Sequence, residues 1–239
     1  MNTKNVVMFS WEGELPAPQV RTVDDMRSVL RDPGCRCEAP LYFMYRALAK
    51  SDADREWLEA TAIRYDITVI PARDLCGEHV KTKGHYHPEN KAGVGYPEVY
   101  EVLSGIAHYL LQSRSHSDVV LVSAQKGDLV VIPPGYGHIT INPSREETLV
   151  MANVVSTGFE SEYGEYETMQ GAAYYETREG KLEKNPRYGE MPPVREMSAA
   201  ATDLTGLCSQ PLYRMVEGRD PFGFLNHPER YARYFRELL

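Results

Sequence analysis

The stretch Lys81–Gly105, KTKGHYHPENKAGVGYPEVYEVLSG, decides how this chain folds and what it holds. It carries two histidines one residue apart, a polar run, and then Glu98. If His85-Tyr86-His87 is extended, side chains alternate and both imidazoles fall on one face. Two ligands spaced this way can reach one ion. Glu98 opens the following strand, where Glu98, Tyr100 and Val102 share a face, while Glu101 points to the opposite one. A fourth ligand has to come from another strand. His138 is the candidate, in GDLVVIPPGYGHITIN at 127–142. There Gly127 turns the chain between strands, and Pro133 and Gly135 shape the bend that presents His138 inward. A lone histidine on a strand is ordinarily a hydrogen-bonded core or surface residue. A His-x-His pair, a glutamate and a distant histidine in a Pro/Gly frame together are hard to obtain by chance. Three imidazoles and one carboxylate suit Fe(II), Ni(II), Mn(II) or Zn(II), and ligand type alone does not choose among them. The expectation is one divalent metal per subunit, with iron placed first. His79, His108, His116 and His227 fall outside the frame and are read as structural.

Bulk properties narrow the rest. The chain has 239 residues and a net charge of −8, so a nucleic-acid footprint is not expected. No apolar run is long enough to span a bilayer, and MNTKNVVMFSWEGELP lacks the pattern of a signal peptide. Four cysteines, Cys35, Cys37, Cys76 and Cys208, show no CxxC spacing. Each is read as a small buried apolar group in a reduced, cytoplasmic setting.

Three regions follow from the pattern of apolar residues and breakers: an N-terminal extension over 1–40, a β-rich body over 41–190, and a linker with a C-terminal helical extension over 191–239. In the first, Thr22 with Asp25 at the capping-box position starts a helix whose apolar face is Met26, Val29 and Leu30. In the second, LYFMYRAL, RYDITVI, EVYEVLSG, AHYLLQ, DVVLVSA, GDLVVIPP, HITIN and ETLVMANVV read as short strands of a sandwich or barrel. SDADREW between two of them is a helical turn or loop with a solvated face. In the third, EKNPRYGEMPPVREM reads as a linker. NHPERYARYFRELL reads as one helix capped by Asn226, with Tyr231, Tyr234, Phe235 and Leu238 as a packing stripe.

His85-x-His87 with Glu98 and Gly105 resembles the first cupin motif, its internal gap lengthened by PENKAGVGYP at 88–97. Gly127, Pro133, Gly135, His138 and Asn142 resemble the second. TKGHYH, EVYEVLSGIAHYLLQ, VVIPPGYGHITIN and SEYGEY occur in order. Over roughly Tyr45–Tyr188 the chain therefore resembles the cupin-type, archaeal-type glucose-6-phosphate isomerases. The resemblance implies a mainly β cupin, a double-stranded β-helix or jelly-roll barrel, with an N-terminal helix and a C-terminal helical extension. It implies a metal-dependent aldose–ketose isomerase interconverting glucose 6-phosphate and fructose 6-phosphate. Against that chemistry, the Thr82 hydroxyl and the Gly84 backbone become the phosphate grip, with Lys81 and Lys83 flanking it. Tyr45, Thr68 and Tyr163 match family positions that line the substrate site. Glu98 becomes the base that moves a proton between C1 and C2, a role that competes with metal ligation; the alternative is a hydride shift with the C1 and C2 oxygens held by the metal. Ser161 and Glu162 stand where family members can carry a histidine, and Val155 where a tyrosine stands. Those departures and the insert leave mannose 6-phosphate as an alternative substrate. Another cupin enzyme such as a dioxygenase, or a non-catalytic sugar-phosphate-binding cupin, are the competing classes. A homodimer with a sugar-phosphate substrate and neither nucleic acid nor membrane as partner completes the expectation.

Overall fold

The computed structural model describes residues 9–204 and 206–239. Thr205 lies outside the described residues, as do the first eight residues of the expected 1–40 extension. Strands follow the chain as β1 (Gln19–Arg21), β2 (Tyr42–Tyr45), β3 (Ile63–Ile70), β4 (Asp74–Leu75), β5 (Glu78–His79), β6 (Glu98–Ser104), β7 (Ile106–Ser113), β8 (Val119–Gln125), β9 (Leu129–Ile132), β10 (Tyr136–Ile141), β11 (Leu149–Ser156), β12 (Tyr174–Glu176), β13 (Leu182–Lys184) and β14 (Arg195–Ser198). The α-helices are α1 (Val23–Met26), α2 (Asp52–Ala60), α3 (Gly164–Thr168), α4 (Leu212–Glu217), α5 (Gly223–Asn226) and α6 (Ala232–Phe235).

Each apolar run of the β-rich body forms a strand. Gly105, Gly127 and Gly135 have φ of +81°, +92° and +82°, values that glycine adopts without the Cβ penalty, and they make the turns around β6 to β10. A six-stranded sheet runs β1-β2-β3-β11-β6-β9, and a four-stranded sheet runs β10-β7-β8-β14. Both are antiparallel except for the parallel β14–β8 pair. Inward residues of the two sheets share one core: Met44, Tyr100, Val102 and Met151 from the first, Tyr109, Leu111, Val120 and Ile139 from the second. Two facing antiparallel sheets wound from one chain in this way make the cupin double-stranded β-helix.

A second core lies on the outer face of the six-stranded sheet. Tyr65, Ile67, Val99, Val131 and Val154 pack there against Leu212, Met215, Val216 and Phe224 of the C-terminal segment. Strand β11 is buried along its whole length because one side faces each core, so its sequence reads as an unbroken apolar run rather than an alternation.

The N-terminal helix begins where Thr22 N–H donates to Asp25 Oδ2 at 2.8 Å, and Met26, Val29 and Leu30 are buried. Three expectations need correction. The segment read as a linker ends in β14, which completes the smaller sheet. The single C-terminal helix is broken into α5, a 3-10 turn at Pro228–Tyr231 and α6. Asn226 ends α5 instead of capping a helix; its side chain donates to Thr61 O at 2.8 Å and accepts from Ser156 Oγ at 2.7 Å, tying the segment to the barrel. Finally, Cys35 and Cys76 form a disulfide with Cα atoms 5.8 Å apart, and Cys76 is exposed rather than a buried apolar group. The pair is 41 residues apart in sequence, so no local spacing announced it.

Candidate metal centre

His85 and His138 come from segments far apart in the chain, yet their backbones pair directly. His138 N–H donates to His85 O at 3.1 Å, and His85 N–H returns to His138 O at 3.4 Å. His87, two residues on in extended chain, turns its ring to the same side. Glu98 is the first residue of β6. One potential ligand atom from each of His85, His87, Glu98 and His138 lies within 4.8 Å of all the others. His85 Nε2 is 3.2 Å from His87 Nε2. Glu98 Oε2 is 3.4 Å from His87 Nε2 and 3.3 Å from His138 Nε2.

The chemistry of this cluster is that of lone pairs without protons between them. Burial lowers all three imidazole pKa values to about 3; for His85 the neighbouring His138 adds to this, and for His87 the Glu98 charge partly opposes it. The rings are therefore neutral near pH 7. His87 Nδ1 faces Tyr96 O at 2.9 Å and His85 Nδ1 faces Lys83 O at 3.4 Å. A carbonyl only accepts, so the ring proton sits on each Nδ1 and the two Nε2 lone pairs confront each other and Glu98. Acceptors so placed repel unless a cation lies between them. Three nitrogens and one carboxylate oxygen fit a divalent transition metal. Tyr100, kept protonated by burial first and the Glu98 charge second, sets its hydroxyl 3.0 Å from His138 Nε2.

The centre opens onto a cavity of 410 Å³ in the mouth of the barrel. Thr68, Thr82, Lys83 and Tyr163 lie on its wall, as do Val155 and Ser161. Tyr45 and Gly84 do not. Alternation along β2 turns Tyr42 and Met44 into the cleft and sends Phe43 and Tyr45 to the outer core, where Tyr45 meets the Phe9 ring. Tyr42 thus occupies the wall expected of Tyr45. Gly84 is required for packing: a Cβ there would come within 2.3 Å of the Tyr166 ring and 2.6 Å of Ile139. Lys81 is also withdrawn, in a buried ion pair with Glu78 at 2.5 Å.

The sequence reading passed over Arg21, Tyr42, Arg46, Arg64, Asn153 and Phe159, all on the wall. Part of this was visible: Arg64, Asp66 and Thr68 alternate along β3 and so share its inner face. Arg46 Nη1 and Arg64 Nε both donate to Asp66 Oδ2, at 2.7 and 2.8 Å, while Ala47 N–H takes Oδ1 at 2.9 Å. Their charge is thereby spent on a fully buried carboxylate. Arg21 differs, since its buried Nε has no hydrogen-bond partner among the described residues. Asn153 Nδ2 donates to Glu98 Oε1 at 2.7 Å and fixes the carboxylate plane. Nothing local in the sequence marks Phe159, which reaches the centre from a loop.

The chain is similar to several known proteins. A family model described as Glucose-6-phosphate isomerase (GPI) matches residues 20–192. The glucose-6-phosphate isomerase of Pyrococcus abyssi (strain GE5 / Orsay) is 27% identical over 138 residues, covering 56% of this chain and 67% of that relative. That of Pyrococcus furiosus is 31% identical over 90 residues, 38% of this chain and 45% of the relative. Among solved structures, vicilin from Corylus avellana is similar with a TM-score of 0.39 and 16% identity, over 54% of this chain and 34% of that one.

Proposed function

Because the chain belongs to the glucose-6-phosphate isomerase family, we propose that its cleft interconverts glucose 6-phosphate and fructose 6-phosphate in a metal-dependent reaction. The observation that carries this is the convergence of three neutral imidazoles and Glu98 on one point of a cleft whose wall also carries Arg21 and Lys83. A divalent metal bound there supplies Lewis-acid polarisation of the substrate oxygens. Iron is the first choice, with nickel, manganese and zinc as alternatives.

The chain's own groups divide the work. An open-chain sugar phosphate carries a dianion at one end and a carbonyl–hydroxyl pair at the other. The dianion needs fixed donors, and the wall offers Arg21, Lys83, Thr82 and Thr68, with Tyr163 beside them. Lys83 is already oriented, paired with Glu167 at 2.5 Å and lying 5.5 Å from the Tyr163 ring centroid. At the other end Glu98 takes the proton from C2 of the aldose and returns it to C1. Asn153 holds Oε1 during this exchange, so Oε2, the oxygen facing the His87 and His138 rings, serves both the cation and the substrate proton. Phe159, with its ring centroid 4.4 Å from that of His87, limits water at the same end. The protein acts as a homodimer in the cytoplasm on this reading.

The test is a coupled assay. Fructose 6-phosphate is supplied and glucose 6-phosphate detected through NADP reduction, with and without chelator. Turnover that the chelator removes and Fe, Ni, Mn or Zn restores is expected. Failure of all four metals to give turnover overturns the isomerase.

A further inference from the structure

The insert Pro88–Pro97 is a built strap. Asn90 closes it upon itself: its N–H donates to Val94 O at 2.8 Å, and its Oδ1 accepts from Ala92 N–H at 2.9 Å and Val94 N–H at 3.2 Å. Tyr96 N–H returns to Pro88 O at 3.1 Å. The strap presses on the turn that leads into β10, because a Cβ on Gly95 would stand 2.8 Å from Gly135 N. Its last contact is with the centre itself. Tyr96 O accepts the Nδ1–H of His87 at 2.9 Å, and the Tyr96 ring stacks on Phe159 with centroids 4.7 Å apart.

The three imidazoles are held unequally. His85 has a long contact of 3.4 Å at Nδ1, and His138 Nδ1 is buried with no partner among the described residues. His87 alone of the three has a short hydrogen bond on its second nitrogen, and the strap provides it. A hydrogen bond there fixes ring orientation and tautomer and raises ligand basicity.

The strap is in turn held from outside. Asn90 Nδ2 donates to Glu229 Oε2 at 2.9 Å. Glu229 lies in the 3-10 turn Pro228–Tyr231, beyond the matched residues 20–192 and anchored to the barrel through Asn226. Val94 of the strap and Pro228, Ala232 and Phe235 of the tail line one apolar recess between them.

We propose that the strap and the C-terminal segment bracing it form one positioning device for His87, so that residues outside the family's matched region set the cation affinity of the cleft. Glu229 and Asn90 touch neither ligand nor substrate; they are positioning residues acting through Tyr96. The proposal rests on the four-residue cluster being a metal centre.

A charge rearrangement tests it. Asn90→Asp keeps the oxygen that caps the strap but loses the donor to Glu229 and sets two carboxylates face to face. Glu229→Gln keeps an acceptor for Asn90 and, combined with Asn90→Asp, supplies a new donor. Cobalt(II) is titrated into metal-stripped full-length protein, with calorimetry for affinity and visible absorption for ligand geometry. Asn90→Asp is expected to weaken cobalt binding roughly 2- to 30-fold, the range of coupling carried by residues that touch no ligand, and to alter the absorption band. Glu229→Gln alone stays near wild type, and the double variant recovers affinity and band together. Wild-type affinity and spectrum in Asn90→Asp, or a double variant no better than Asn90→Asp, overturns the positioning role whatever the melting temperatures do. A wild-type protein that takes up no cobalt removes the metal centre itself, an outcome distinct from equal uptake by wild type and variants.

Discussion

On strand β6, Glu98 and Glu101 point to opposite faces of the six-stranded sheet. Both are almost fully buried, at 4% and 7% exposure, so neither is a solvated surface carboxylate. On the inner face Glu98 meets two imidazole lone pairs and one amide donor. On the outer face Glu101 accepts the backbone N–H of Leu212 at 2.7 Å, at the start of α4. Burial raises the Glu101 carboxyl pKa, and the Leu212 N–H only partly opposes it. The same residue type, three positions apart, thus faces the candidate cation site on one side and docks the C-terminal segment on the other. The difference teaches that the partner's polarity assigns the role. A carboxylate among acceptors calls for a cation, whereas a carboxylate facing an unpaired N–H already has its donor.

Substituting the inner residue is the strongest way to break this comparison. Glu98→Gln is expected to lower turnover by roughly 10²- to 10⁴-fold in the coupled assay, the span attributed to a general base. Full activity would remove Glu98 from the chemistry. Cutting the disulfide, which involves neither glutamate, provides a control of comparable energetic size. Cys76→Ser is expected to lower stability by about 2–4 kcal/mol in denaturant unfolding while activity of the folded enzyme persists. Mass analysis under non-reducing conditions checks the Cys35–Cys76 bond itself.

The outer residue comes next. Glu101→Ala leaves the Leu212 N–H buried without an acceptor, a loss of about 1–3 kcal/mol, with turnover per folded molecule unchanged. Glu101→Gln keeps an acceptor oxygen and loses less. If Glu101→Ala instead cripples turnover at full stability, the division between faces fails.

The smallest effect concerns pH. Asp54 on α2 is buried, which by itself raises its pKa, but bonds from Arg219, Ser51 and Tyr213 outweigh burial and hold the carboxyl below its usual value. A depressed folded-state pKa contributes stability that is complete above the unfolded value of about 3.9 and is lost as pH falls through the folded one. Anchoring of the C-terminal segment therefore weakens below about pH 4. Asp54→Asn is expected to flatten the drop in denaturant midpoint between pH 5 and pH 3.

Parity of side chains explains what was legible in the sequence and what was not. The alternation that set His85 beside His87 and Glu98 opposite Glu101 needs only an extended backbone, so which of these residues share a face could be read from spacing, whereas His138 stood out only by the Pro/Gly frame around it. Matching by family position points to Tyr45, whereas alternation along β2 turns Tyr42 into the cleft and Tyr45 to the outer core. Gly84 is expected to bring its backbone to the phosphate, but what excludes a Cβ there is Tyr166 and Ile139. The run NHPERYARYFRELL carries a helical stripe, yet His227 at φ −130° and ψ 54° breaks it, since the Asn226 side chain is committed to Thr61 and Ser156.

By itself the sequence determined the strands, their turns and which side chains of one strand share a face, because each rests on local backbone geometry and on side chains a few positions apart. Tertiary structure alone decided the rest. The Cys35–Cys76 bond, the Leu212 N–H on Glu101, the Tyr96 carbonyl behind His87 and the Glu229 brace on Asn90 join groups whose pairing no local pattern encodes. Donors and acceptors left over by the local elements are satisfied wherever the folded chain brings a partner within reach, and only the packed barrel brings them there.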